Sequence, residues 1–528
     1  MSTEKRDEQV RLVNQEITEE YARVIPHTKK PKILICTPEV TELPEGMGNA
    51  ANLVSAKGGG LGDISASLIR YLNDNKNYEL HVVLPKYDNK IKKFAAITNE
   101  QIDRLAIVLS GRGIHLVNDS AFSYISNPYQ EHKIHTSIRR ALAFQRFIIN
   151  DLLDWVKPDV VHCNDWMTAL VPAAAKVKGI KSLFTLHNIF TEKKTLMDIE
   201  LSGIKPMEFA HLLYFENFPG NIHENWQQNF TSNKIDFTAS AILAADYFNT
   251  VSKTFLQELV ENYFDDIVPP SIYHMIKQKY DQGRAFGILN APGDSVNPRV
   301  MGNIINFNKH NMAELKPENK ILFQQQMGLT EDPDIPLFFW PSRLYFQKSP
   351  DLIVDHAVYF TRKYKMQLAV VANGDEKIEK QLQKLSRLHP DRIAFKNFDE
   401  VLSNLGKAGA DFILMPSRYE PCGLPQMEAP RFATLPVVRA TGGLKDTVEQ
   451  LDPDQNKGNG FLFEIADKAG LEYGIRSAIQ FYALPRETKI AQLQRIMSES
   501  KRTFNLQKTA EQYLEVYDKM IAENSNHS

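Results

Sequence analysis

Short apolar runs that alternate with longer amphipathic segments constrain this chain more than any other feature. Residues 32–36, 80–84, 105–109, 160–162, 183–186, 248–251 and 286–289 are apolar runs of strand length. Between several of them lie residues 61–72, 138–155 and 166–177, whose apolar positions recur at helical spacing. Near-continuous apolar strands separated by helices belong to parallel sheets covered on both faces. The alternation then restarts. Residues 337–340, 368–371, 393–395, 412–415 and 436–438 read as strands, separated by helices near 351–363, 378–388, 400–405 and 424–432. The fold class is therefore α/β, with two doubly wound parallel sheets in series and a loop-rich join near residues 290–317. The expected organisation is an amphipathic helix over 1–30, a first sheet domain over 31–295, a second over 296–500 and a last helix over 501–528. Open parallel sheets bind ligands beyond the carboxyl ends of their strands, and the cleft between two such sheets is the default site.

Composition narrows the function classes. The 528 residues are 43% apolar and 24% charged, with 62 basic against 64 acidic side chains, an ordinary globular balance. A net charge of −2 provides no general field for nucleic acid or an anionic membrane, so any positive charge that binds an anion is local. The three cysteines, Cys36, Cys163 and Cys422, are far apart in sequence and signal neither a disulfide framework nor a zinc site. No apolar run approaches the ~18 residues of a spanning helix, and the first residues lack the apolar centre of a signal peptide. A cytoplasmic protein is expected.

Several strings after strands can carry chemistry. Lys57-Gly58-Gly59-Gly60-Leu61-Gly62-Asp63 stands before a helical pattern, where glycines let amides approach an anion and a helix start adds favourable charge. It is neither the dinucleotide fingerprint nor a Walker loop. Arg343 and Lys348 follow the strand at 337–340 and can converge on a diphosphate, one as a planar fork and the other as a point charge. Glu420 and Glu428 flank Cys422-Gly423-Leu424 after the strand at 412–415. Eight residues of helix span ~12 Å, beyond the ~5–9.5 Å of a glycosidase pair. His162-Cys163-Asn164-Asp165-Trp166 and Thr185-Leu186-His187-Asn188 end two strands of one sheet with polar side chains and suggest a pocket floor. Asp332-Pro333-Asp334 and Asp452-Pro453-Asp454 read as turns rather than metal ligands.

Together these strings resemble the bacterial glycogen synthase and plant starch synthase family, in order from about residue 31 to 517. The most specific pieces are 57–63, 158–166, 185–188, 341–348 and 410–448, which includes Glu420-Pro421-Cys422-Gly423-Leu424 and Thr441-Gly442-Gly443-Leu444. The resemblance implies the two-Rossmann-domain architecture called GT-B. It also implies transfer of glucose from a nucleotide diphosphate sugar to the 4-hydroxyl at the non-reducing end of an α-1,4-glucan, with retention and without a metal or other cofactor. It places Lys57, His187, Arg343, Lys348 and Glu420 in the catalytic set. It places Gly59, Gly60, Tyr129, Asp165, Trp166, Asn188, Asn290, Phe398, Cys422, Gly423, Leu424 and Glu428 in substrate contacts. It also implies that the last helix crosses back onto the first domain. The implied partners are a nucleotide-sugar donor and a glucan acceptor, with no nucleic acid or membrane; the 1–30 helix packs on the body or docks a partner, a second copy of the chain included.

The chain departs from the family pattern at several points. Residues 40–56 form a longer connection, Ser349 stands where the family has Gly, Pro425 replaces Thr, Phe398 stands where a base-stacking Tyr is frequent, and Glu428 is more like the paired-glutamate motif of other retaining transferases. Two other functions stay open at this stage: a transferase with a protein, lipid or small glycoside acceptor, and a catalytically silent glycan-binding relative.

Overall fold

The computed structural model describes residues 30–40, 60–75, 77–87, 109–110, 113–122, 134–220 and 224–525. Two compact units divide the chain. The first runs to Val251 and adds Leu256–Ile288 and Leu506–Ser528; the second holds Ser252–Phe255 and Leu289–Asn505.

In the first unit the chain forms β1 (Lys32–Cys36), β2 (Glu79–Pro85), β3 (Ile114–Val117), β4 (Val160–Asn164), β5 (Lys181–Leu186), β6 (Lys193–Thr195), β7 (Lys234–Asp236), β8 (Tyr247–Thr250) and β9 (Ala285–Gly287). Seven of these make one sheet in the order β3-β2-β1-β4-β5-β8-β9, with every neighbouring pair parallel. The other two, β6 and β7, pair antiparallel. One sheet face carries Ile33, Ile35, Val160 and Leu183 against the helices Gly60–Asp74 and Leu506–Ser525, the latter contributing Ala510, Tyr513, Tyr517 and Met520. Those four recur every three or four residues, so a single helical stripe is buried. Each large side chain removed from water in this way contributes roughly 1.5–3 kcal/mol.

The second unit has β10 (Leu337–Leu344), β11 (Gln367–Gly374), β12 (Ile393–Lys396), β13 (Phe412–Met415), β14 (Leu435–Arg439) and β15 (Phe461–Phe463). The order β12-β11-β10-β13-β14-β15 is again fully parallel. In each sheet the order of strands reverses beside the first strand, between β1 and β4 and between β10 and β13. Loops that leave the carboxyl ends of those four strands diverge there, which is the geometry of a binding crevice.

Three sequence expectations are corrected. The strand expected over 105–109 is helical at its one described residue, Leu109, and the sheet edge is instead Ile114–Val117; a short apolar run has no periodicity that separates strand from buried helix. The loop-rich join ends at Met312, where a helix runs to Met327 with Pro317 inside it. Pro317 has no N–H for the Ala313 carbonyl, and the Arg486 guanidinium lies 3.5 Å from that oxygen. The helix expected over 166–177 is a turn at Trp166–Thr168 followed by a helix from Val171. The aspartate-proline strings are turns as expected, with Asp332 and Asp452 side chains accepting from the backbone two residues on. No described helix is long and apolar enough to cross a membrane.

Close approach of two helices in the second unit depends on glycine. A methyl on Gly409 would lie 2.6 Å from the Asn319 carbonyl oxygen, and one on Gly406 2.7 Å from the Phe339 ring. Helix Glu400–Gly409 is thereby pressed onto helix Met312–Met327. Gly409→Ala is expected to cost about 1–3 kcal/mol in urea unfolding by overpacking, although alanine is the better helix former. An unchanged midpoint would show that the two helices have room to part.

Candidate active-site residues

At the switch point of the first sheet, β4 ends at Asn164 with Asp165 next, and His187 follows the end of β5. The Asn164 amide nitrogen donates to the Cys36 carbonyl at 3.1 Å, which turns its oxygen toward His187 Nε2 at 2.9 Å. An amide oxygen only accepts, so Nε2 carries a proton. Burial pulls the His187 imidazole well below its ordinary range, leaving it neutral at pH 7 with Nδ1 as the acceptor. The His187 backbone N–H donates to Asp165 Oδ1 at 2.7 Å. Burial raises the Asp165 carboxyl to about 7, against the N–H groups of His187 and Asn188 that favour the ion; Glu39 adds to the rise.

Asp165 has φ 58° and ψ 176°, a region occupied almost only by glycine and costing on the order of 1–3 kcal/mol. Hydrogen bonds hold it there: its N–H donates to the Thr185 carbonyl, and its own carbonyl accepts from Thr168 N–H, both at 3.0 Å. Trp166 follows, buried, with its ring 5.2 Å from that of Phe190. Asn188 accepts from Ile189 N–H at 2.9 Å. His162, the other strand-end histidine, is wholly internal. Gly60 opens the helix Gly60–Asp74. Lys57, Gly59, Tyr129, the 1–29 segment and residues 41–56 lie outside the described residues.

At the switch point of the second sheet, Arg343 is exposed near the end of β10. Its guanidinium carbon stands 5.9 Å from the centre of the Tyr345 ring, and among the described residues no carboxylate pairs with it. Lys348 closes the turn Phe346–Lys348 and donates to Glu420 Oε2. The same oxygen accepts from Ser417 Oγ at 2.9 Å, and Glu420 is only 5% exposed. The two loops are joined further: Arg418 N–H donates to the Gln347 carbonyl at 2.8 Å, and the Arg418 guanidinium forks onto Asp351 at 2.9 and 2.7 Å.

Beneath Glu420 the chain folds back at Gly442 and Gly443. A methyl on either would meet the carbonyl oxygens of Glu420 or Cys422 at 2.0 or 2.1 Å, while Gly443 N–H donates to the Glu420 carbonyl at 2.9 Å. The Glu420–Leu424 backbone thus rests on a glycine pair. Cys422 Sγ lies 4.0 Å from the Asn290 carbonyl, Gly423 has φ +71°, and Leu424 precedes the short helix Pro425–Glu428. Phe398 is 57% exposed, its N–H held at 2.9 Å by Asn373, which is in register with Arg343.

In this unit the structure brings Arg343, Lys348, Glu420, Asn290 and Cys422–Leu424 to the carboxyl ends of β10 and β13 and the loops beside them. Glu428 instead pairs with Lys407 at 2.6 Å. Sequence reasoning missed Ser417, Asn373 and Lys407, each of which holds a candidate residue in place; Ser417 stands two residues past the end of β13, which is the one signal that could have found it. Asn164, named in the expected pocket floor, holds the His187 ring. Ser349, at the family's Gly position, is left-handed with φ 52° and ψ 51°, and its buried hydroxyl has no partner among the described residues. Among the described residues no cluster of three His, Cys, Asp or Glu is arranged to hold a metal.

A family model described as the starch synthase catalytic domain matches residues 32–268. One described as glycosyl transferases group 1 matches residues 323–493. Glycogen synthase of Thermotoga maritima is 31% identical over 491 residues, 88% of this chain and 96% of its own. That of Alkaliphilus metalliredigens is 30% identical over 491 residues with the same coverage. Among solved structures, the catalytic domain of starch synthase IV from Arabidopsis thaliana, bound to ADP and acarbose, matches with a TM-score of 0.72 and 23% identity, covering 94% of this chain and 100% of its own.

Two predictions follow from the strand-end loops. Because folding raises the Asp165 carboxyl toward 7, the unfolded chain loses this proton first, and the stability it contributes at low pH disappears as pH rises through about 7. Asp165→Asn keeps the shape of the neutral form, so its stability relative to the parent should rise between about pH 4 and about pH 7 and level off above that, read from urea midpoints. Ser349→Gly removes both the left-handed strain and the orphaned hydroxyl, and should stabilise by about 1 kcal/mol; calorimetry showing a lower melting temperature would contradict that account.

Proposed function

The chain belongs to the glycogen and starch synthase family, as a glycogen synthase-like glucosyltransferase with the GT-B fold, and we propose that it moves glucose from ADP-glucose or UDP-glucose to the non-reducing end of an α-1,4-glucan. The observation that carries this proposal is the cationic loop at the end of β10: Arg343, exposed and among the described residues without a carboxylate partner, and Lys348 held by Glu420. A nucleoside diphosphate leaving group gains negative charge as the sugar departs. An Arg fork and a Lys point charge, fixed before the reaction, stabilise that charge without reorganising. Phe398, exposed and tied to the strand end by Asn373, is suited to lie on the nucleotide base.

Further support comes from the ADP and acarbose bound by the starch synthase IV domain. Nucleotide and glucan are the ligands proposed here. In the proposed step the bond from the anomeric carbon to the phosphate oxygen breaks, and the acceptor 4-hydroxyl oxygen bonds to the same face of that carbon. Its proton passes to the departing phosphate oxygen. Glu420, ion-paired with Lys348, lies against the sugar, and the Cys422–Leu424 amides reach its hydroxyls. In the first unit, neutral His187 offers Nδ1 to a sugar hydroxyl, with Asp165 and Trp166 beside it. No metal or other cofactor is assigned a step. A cytoplasmic location belongs to the same proposal and agrees with three cysteines that are all free and buried.

The test is incubation with ADP-glucose and UDP-glucose separately, with and without glycogen, measuring nucleoside diphosphate released and glucan lengthened. Turnover with one donor and only in the presence of glycogen is expected; none with either donor would refute the substrate assignment. Lys348→Ala and Arg343→Ala should each lower kcat by roughly 10²–10³-fold.

A further inference from the structure

The sheet face under His187 holds three buried polar side chains for which the proposed reaction has no use. His162 on β4, Thr185 on β5 and Asn249 on β8 are at most 1% exposed, in the layer where the helix Leu506–Ser525 packs with its apolar stripe. They form a chain. Tyr517 Oη meets His162 Nδ1 at 2.7 Å and His162 Nε2 meets Thr185 Oγ1 at 2.7 Å. Thr185 Oγ1 meets Asn249 Oδ1 at 2.6 Å, and Asn249 Nδ2 meets Tyr513 Oη at 3.3 Å.

The direction of each bond is determined. Asn249 Nδ2 also donates to the Thr250 carbonyl at 3.1 Å, which fixes the amide so that Oδ1 faces Thr185. An amide oxygen cannot donate, so the single Thr185 hydroxyl proton goes to it. Thr185 Oγ1 must then accept from His162, whose Nε2 therefore carries a proton. Desolvation keeps His162 neutral, so Nδ1 is an acceptor and Tyr517 donates to it. Protons thus run from Tyr517 through His162 and Thr185 to Asn249, whose amide donates onward to Tyr513.

The chain reaches candidate site residues by one backbone step. The Thr185 carbonyl accepts the Asp165 N–H at 3.0 Å, and Asp165 Oδ1 accepts the His187 N–H at 2.7 Å. His162 and Asn164 point to the same sheet face, being two residues apart on β4, and His187 follows directly on the end of β5. A shift of His162 or Thr185 is therefore felt by the strained Asp165 turn and by the His187 ring.

We propose that Tyr517 and Tyr513, on the last helix, are positioning residues for glucosyl transfer, acting through His162, Thr185 and Asn249 on Asp165 and His187. The proposal rests on the functional reading above for what His187 does. Removing the Tyr517 hydroxyl leaves a buried imidazole nitrogen without its donor, so the ring is expected to turn or tilt, and Thr185 with it.

Tyr517→Phe and Tyr513→Phe keep the aromatic packing. Tyr78→Phe is the control, because the Tyr78 hydroxyl bonds Asp518 of the same helix yet lies outside the chain. Tyr517→Phe should lower kcat roughly tenfold with KM for the nucleotide sugar within about twofold, and Tyr78→Phe should leave kcat unchanged. Selective ¹⁵N labelling of histidine reads the chain directly: His162 should be the Nε2–H tautomer, and in Tyr517→Phe its Nδ1 resonance should move most, with smaller shifts at His162 Nε2 and at His187. Equal kcat losses in Tyr517→Phe and Tyr78→Phe, or a His162 protonated at Nδ1, would overturn the proposal. If the parent protein transfers no glucose, the functional reading fails, and the imidazole spectrum still decides whether the chain of bonds exists.

Discussion

A buried polar side chain at the end of a parallel strand must find its hydrogen bonds from other side chains or from loop backbone, because the ladder has already used the strand's own groups. Both sheets meet that demand at the strands flanking the switch point. In the first unit, Asn164 satisfies the Cys36 carbonyl and the His187 ring at once, and Asp165 takes the N–H that the turn at His187 would otherwise leave unused. In the second, Glu420 gathers Lys348 and Ser417 on one oxygen. The positions that can hold a ligand are thus fixed by the same bonds that make their burial tolerable.

Charge follows the same logic. The chain is nearly neutral overall, and many of its lysines and arginines are spent in pairs. Arg418 is forked on Asp351 and Lys407 on Glu428. The Lys407–Glu428 pair also gives the departure at Glu428 a structural role inside its unit. Arg343 stands apart, exposed and without such a partner among the described residues. A chain with little net field can therefore still present a cation where an anionic leaving group needs one.

Much of the architecture was legible in the sequence because many short apolar runs recur between longer amphipathic segments, a pattern that buried parallel strands with crossover helices produce even where a single run is ambiguous. Runs such as 337–340 and 412–415 carry no polar residue that could place them at a surface. The misses have equally local causes. Phe461–Phe463 is only three residues long, too short to show a period. Pro317 reads as a helix breaker, yet the structure supplies Arg486 near the carbonyl that proline leaves free. Arg343, Lys348 and Glu420 were legible because charged residues directly after apolar strands are conspicuous. Ser417, Asn373 and Lys407 were not, since what marks them is a partner far along the chain or a turn of the loop, and spacing alone carries neither. Residues 57 and 129 remain expectations of the sequence only.

The placement of the last helix has a consequence for synthesis. Its Ala510, Tyr513, Tyr517 and Met520 are part of the first unit's core, while the second unit is complete by Asn505. A ribosome delivers residues at roughly 5–20 per second, so the first sheet emerges early and then waits on the order of 10–40 s for the segment that covers one of its faces. The unit encoded second is the first able to finish folding. Until the final helix leaves the exit tunnel, His162 and Asn249 have no tyrosine to bond, which exposes an apolar face with polar holes to the chaperones that patrol nascent chains.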